Sequence, residues 1–194
     1  MKKVLVCASL IALSASAFAS DSGLYVRGDL GASKMKLSEK VTSTDKTTMK
    51  AKPVYNLGVG YKFNDNLRSD INFQSRTASD KDLTNVTVKN KAIFLNGYYD
   101  FKNDSIFTPY VTAGIGASKN KLSHLPTGFT SKPSTSFAWN TGLGSKINVA
   151  KNVDLDVSYK FSHLGNFEGT NASNEKIKMN SKAHEVMAGV IYNF

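Results

Sequence analysis

The sequence predicts an all-β fold, an eight-stranded antiparallel transmembrane up-and-down β-barrel with lipid outside and polar side chains within. Three observations predict it. From Leu67 to Arg76, apolar or small residues (Leu67, Ser69, Ile71, Phe73, Ser75) alternate with polar ones (Arg68, Asp70, Asn72, Gln74, Arg76). Side chains alternate faces along a strand, so this segment has one greasy and one hydrophilic face. The pattern recurs along the chain and is still running at Val190-Ile191-Tyr192-Asn193-Phe194. Third, the connections between the repeats alternate short and long, as the periplasmic turns and extracellular loops of outer-membrane barrels do.

The first element is not part of that fold. Lys2 and Lys3 make a basic start, Val4 to Leu13 an apolar run, and Ala17-Phe18-Ala19 a small-x-small cleavage site. Residues 1–19 are therefore expected to be a cleaved leader and residues 20–194 the barrel domain. Cys7, the one cysteine, lies in the leader, so the mature chain is expected to lack disulfides, thiol catalysis and cysteine metal sites. No segment is long and apolar enough for a spanning helix.

Eight strands follow, each near the roughly 9–11 residues that a tilted membrane strand needs. Leu24–Ser33 carries Arg27 and Asp29 inward. Val54–Phe63 turns Tyr55, Leu57, Val59, Tyr61 and Phe63 outward, with Gly58, Gly60 and Lys62 inward. Leu67–Thr77 holds Arg68, Asp70 and Arg76 inward. Lys91–Phe101 points Ile93, Leu95, Tyr99 and Phe101 to lipid and Asp100 to the interior. Phe107–Ser118 and Ser136–Ile147 set Gly114, Gly116, Gly142, Gly144 and Lys146 inward. Val153–His163 alternates Val153, Leu155, Val157, Tyr159 and Phe161 with Asp154, Asp156 and Lys160. Ser181–Phe194 exposes Val186, Ala188, Val190, Tyr192 and Phe194 and turns Glu185 inward. Asn64–Asn66, Lys102–Ile106 and Asn148–Asn152 are tight and rich in turn residues. The segments 34–53, 78–90, 119–135 and 164–180 are long and polar.

Aromatic residues gather at both strand ends. Tyr61, Phe63, Phe101, Phe107, Tyr192 and Phe194 lie toward the turns; Tyr55, Phe73, Phe137, Trp139 and Phe161 lie toward the loops. Two lipid–water interfaces select two such belts. The inward charges balance: Arg27, Lys62, Arg68, Arg76, Lys146 and Lys160 against Asp29, Asp70, Asp100, Asp154, Asp156 and Glu185. All the arginines of the chain fall in this set. A guanidinium forks onto carboxylates and stays protonated when buried, which suits an interior network. An eight-stranded barrel is just wide enough for side chains to fill it, so a plugged polar lumen is expected.

The Gly23-Leu-Tyr-Val-Arg-Gly-Asp-Leu-Gly31, Thr108-Pro-Tyr-Val-Thr-Ala-Gly-Ile-Gly116 and Val153-Asp-Leu-Asp-Val-Ser-Tyr-Lys-Phe161 segments resemble the small outer-membrane barrels of the OmpA/OmpX type, especially opacity-like surface proteins. The Lys- and Asn-rich composition is similar to that of surface adhesins of Rickettsia-like intracellular bacteria. Terminal Phe194, with Tyr192 two before it, looks like that family's recognition signal for the barrel-assembly machinery. The resemblance implies an outer-membrane protein without cofactor, a surface antigen acting as an adhesin for a host surface or matrix glycoprotein. A purely structural barrel and a narrow, porin-like pore are the alternatives, and a lipid A-modifying enzyme is a further one.

Candidate sites are weighed against that frame. Arg27-Gly28-Asp29 spells an integrin-binding tripeptide, but recognition of that kind needs an exposed loop, and both charged residues lie on the inward face. Ser123-His124 and Ser162-His163 are adjacent pairs whose members face opposite ways, so neither His124, His163 nor His184 completes a hydrolase site. No catalytic, cofactor or metal residue is assigned. Net charge is +10, with its excess in the loops. The first loop holds Lys34, Lys36, Lys40, Lys46, Lys50 and Lys52 against Glu39 and Asp45; the third holds Lys119, Lys121 and Lys132 with no acid. These nine lysines are the candidate ligand-binding residues. Such a surface attracts lipopolysaccharide phosphate, sulfated glycans or acidic host proteins. Nucleic acid is not expected, since the leader exports the chain and no stacking aromatics interleave with the lysines.

Overall fold

The computed structural model describes residues 23–39, 46–48, 51–79, 87–123, 130–131, 134–170 and 176–194; the expected leader and His124 lie outside them. Ten strands form: β1 (Leu24–Glu39), β2 (Lys46–Thr48), β3 (Lys52–Lys62), β4 (Leu67–Ser79), β5 (Thr87–Asp100), β6 (Phe107–Ser123), β7 (Thr130–Ser131), β8 (Ser134–Ala150), β9 (Val153–Thr170) and β10 (Lys176–Asn193). β2 and β7 are short edge pieces. The eight long strands pair antiparallel with their chain neighbours, and β10 pairs with β1 from Tyr25↔Asn193 to Glu39↔Met179, which closes the barrel.

Alternation drives closure. On β5 every even residue from Asn90 to Asp100 is buried and every odd one from Lys91 to Tyr99 is exposed. The exposed set is apolar across the whole wall: Leu57, Val59, Ile71, Ile93, Leu95, Ile115, Leu143, Val157 and Val190 are each about half exposed or more. A continuous apolar exterior of this extent suits only a lipid solvent. At the turn end, Tyr61–Phe63, Tyr99–Phe101 and Tyr192–Phe194 make edge-on ring pairs with centroids 5.1–5.3 Å apart.

The turns are locally encoded. Asn64 Oδ1 accepts hydrogen bonds from the Asn66 and Leu67 N–H groups at 2.9 and 2.8 Å, and Asn103 Oδ1 does the same for Ser105. At the opposite end the strands run further than expected. β1, β5, β6, β9 and β10 extend to Glu39, Thr87, Ser123, Thr170 and Lys176, so several residues read as loop are strand. β9 also bends: it leaves β8 after Trp139↔His163 but stays with β10 up to Thr170↔Lys176. Gly165 makes the bend at φ 74°, and a Cβ there would collide with Ser136.

A charge-paired polar lumen under a basic outer rim

Inward positions of β1, β4, β5, β9 and β10 converge on three arginines. Arg27 Nη2 donates to Asp29 Oδ1 and Asp156 Oδ2, each at 2.8 Å; its Nε donates to Asp29 and its Nη1 to the Tyr98 hydroxyl. Asp70 stands 3.6 Å from the same guanidinium. The Arg27-Gly28-Asp29 tripeptide is thus an internal ion pair with both side chains fully buried.

Toward the turn end, Arg68 Nε donates to Asp100, which also accepts a 2.6 Å bond from Lys146. The Arg68 guanidinium lies 3.9 Å over the Tyr98 ring and 4.8 Å from that of Tyr110. Toward the loop end, Arg76 binds Glu185 through Nε and Nη2, and its Nη1 donates to Asn90 at 2.6 Å. Arg76 and Glu185 sit on β4 and β10, strands that do not pair, so this bond crosses the lumen.

Within the wall the cations Arg27, Arg68, Arg76, Lys146 and Lys160 meet an equal number of carboxylates: Asp29, Asp70, Asp100, Asp156 and Glu185. Asparagines fill the layers between. Asn56 donates to Asp29, Asn72 and Asn96 to Asp70, Asn140 to Asn96.

Two members of the expected set lie elsewhere. Lys62 is exposed at the turn-side rim, 3.3 Å from Asp65, because the lumen opens to water at that end of β3. Asp154 is partly exposed there and held by Asn148 and Asn193. Lys102 adds a second ion pair to Asp65, and the hydrogen bonds from Lys102 and Lys62 hold the Asp65 carboxyl below its usual range.

The lumen also contains what charge-counting missed. Tyr25, Tyr98, Tyr110, Phe94, Met187 and Ile191 are buried within it. Their positions had the right parity, and the inward glycines were the signal. A Cβ on Gly60 would run into the Tyr25 ring and one on Gly144 into that of Tyr110.

The lysines assigned to loops divide. Lys34 and Lys36 belong to β1 and Lys119 to β6, all exposed. Lys52 opens β3, Lys46 lies on β2 and Lys121 on β6. Lys40, Lys50 and Lys132 lie outside the described residues. The register adds cations not singled out before. Lys36 faces Lys182 and Lys34 faces His184 across β1–β10, beside His163 stacked at 5.9 Å on Trp139. Lys89 faces Lys121 and Lys91 faces Lys119 across β5–β6. His184 bonds the Tyr159 hydroxyl on the outer wall, whereas Ser162 donates to Glu185 inside, so serine and imidazole stand on opposite faces.

The outer membrane protein beta-barrel domain profile matches residues 5–194. Outer membrane protein PagN of Salmonella typhimurium is 29% identical, with 95% of each chain covered. The candidate adhesin RC1281 of Rickettsia conorii is 30% identical over 71% of this chain and 66% of its own. Among solved structures, Neisserial surface protein A superposes with a TM-score of 0.65 at 24% identity, covering 89% of this chain and 98% of that one. Ail, the attachment invasion locus protein of Yersinia pestis, gives 0.56 at 19%, covering 90% and 100%.

Proposed function

The chain belongs to the outer membrane protein beta-barrel domain family, and from that premise we propose that it is a surface adhesin that binds host factors through its basic extracellular end. The observation that carries this reading is the contrast between the two ends of one barrel. Inside the wall the charges balance and hydrogen bonds fill the space between strands. On the outer extensions Lys36 faces Lys182 and Lys34 faces His184 across β1–β10, and Lys91 faces Lys119 and Lys89 faces Lys121 across β5–β6, while across β9–β10 Lys178 is matched by Glu168. A filled, neutral lumen offers little passage, so the basic end is where the molecule meets partners. Relatives named as adhesins support the same role. The reading is non-enzymatic, in keeping with the separation of Ser162 from both described histidines.

The partner we infer is an acidic host surface or matrix glycoprotein, met by long-range attraction to the lysines. Lipopolysaccharide is the second partner, and the assembly machinery, engaged through Phe194, the third. Residues 1–19 act as the cleaved leader and 20–194 as the barrel.

The test is binding of refolded barrel to host cells after the first or third loop is replaced by a Gly-Ser linker. Binding is expected to fall in each, and binding of intact protein to weaken with salt. Equal binding by both replacements, without salt dependence, would leave a structural role.

A further inference from the structure

The cations of the β5–β6 wall are arranged for a task the loop reading does not use. Lys91 lies directly opposite Lys119, and Lys89 opposite Lys121, on two neighbouring outward rows. Lys89, Lys91 and Lys119 are exposed. Like charges directly opposite one another in a sheet repel and destabilise the pairing. Their flanking partners are neutral: Ser75 and Thr77 on β4, and Thr135 on β8. No carboxylate stands in register with this square among the described residues.

The rows beneath are apolar. One step toward the membrane the same four strands present Phe73, Ile93, Ala117 and Phe137, and the next row presents Ile71, Leu95, Ile115 and Trp139. Outward rows are about 7 Å apart along a strand and strands about 4.8 Å apart. The exposed lysines Lys89, Lys91 and Lys119 thus stand directly over a wall made for acyl chains.

We propose that Lys89, Lys91 and Lys119 hold the phosphate groups of an outer-leaflet phosphoglycolipid whose acyl chains lie on the apolar rows below. A soluble polyanion fits the charge but has no use for the apolar rows, and this favours the lipid. The inference rests on the lipopolysaccharide partnership proposed above and on the membrane placement. The β5–β6 lysines also enter the host-binding reading, so lipid retention is read on purified protein without host cells, and its failure leaves host binding to be judged by its own assay.

The test uses the full mature chain refolded in neutral detergent, with lipid retention read by native mass spectrometry. The probes are bisphosphorylated lipid A, the same lipid stripped of phosphate, and heparin. Each juxtamembrane lysine contributes about fivefold, so the K89Q/K91Q/K119Q variant is expected to bind lipid A about a hundredfold more weakly and K91Q alone about fivefold. The stripped lipid is expected to bind wild type as weakly as lipid A binds the triple variant. K91Q keeps the measurement decisive if the triple variant does not refold. Equal retention of lipid A by wild type and variants overturns the proposal, as does equal retention of both lipids. Displacement of lipid A by stoichiometric heparin assigns the square to a soluble sulfated glycan instead.

Discussion

Replacing Arg76 by Leu tests whether the cross-lumen bonds hold the barrel together. Arg76 and Glu185 are buried to within 1% of full burial, and the guanidinium also serves Asn90 and Gln74. In Arg76→Leu, Glu185 keeps the Ser162 hydroxyl at 3.2 Å and loses its cation. Removing the cation of a buried pair costs about 3–5 kcal/mol in all, the lost bonds to Asn90 and Gln74 included. With a urea slope of about 2 kcal/mol/M, the midpoint falls by about 2 M. Removing both charges in Arg76→Leu/Glu185→Leu relieves the stranded carboxylate but leaves Asn90 and Gln74 short of a donor, at about 1 kcal/mol each. The double variant is therefore expected to regain about 2 kcal/mol over the single one. Trp139, the single tryptophan, sits on the lipid-facing wall beside Phe161, and its emission follows unfolding from lipid vesicles. A single variant within about 0.5 kcal/mol of wild type, or a double variant no better than the single, would refute the reasoning.

Planar-bilayer recordings are expected to show no steady conductance proportional to protein, only brief small openings as lumen ion pairs rearrange; a stable large conductance would contradict the filled interior. At the turn-side rim, the depressed carboxyl of Asp65 means that its clasp with Lys102 and Lys62 contributes above the unfolded carboxylate value of about 3.9 and is lost as pH falls through the lower folded value. Carbon NMR of that carboxyl is expected to titrate below about 3.9, moving upward in Lys102→Gln and at high salt.

Within the membrane the fold was legible because lipid and lumen demand opposite side chains at successive positions. The segment from Leu67 to Arg76 carries that demand in full, and Arg27, Arg68, Arg76 and their carboxylates were placed by parity alone. Beyond the membrane the outward face of a strand meets water and turns polar, so Lys34–Glu39, Lys119–Ser123 and Leu164–Thr170 read as loop although they remain paired and Met35, Asn120 and Leu164 stay buried. Lys62 marks the same limit at the other end, where its position is inward by parity but the lumen has already widened to solvent. The tyrosines that clamp Arg68 were hidden for another reason. A tilted small barrel tapers against its glycines, so a large ring opposite Gly60 or Gly144 fits inside a wall whose code otherwise says polar. The lysine ladder of β5–β6 became visible only with the register, since Lys91 and Lys119 lie far apart in the chain.

The extension of β9 and β10 past the bilayer does not simply continue the wall. From His163 to Thr170 the hairpin runs on for seven residues after β9 leaves β8. At the Gly165 bend the buried Leu164 carbonyl accepts from Asn120 Nδ2 on β6 and the Asn166 carbonyl accepts from the Ser136 hydroxyl on β8, each at 3.1 Å. The foot of the hairpin is thereby moored to β6 and β8 through its own carbonyls, so its side chains can be exchanged without loosening its seat on the barrel mouth.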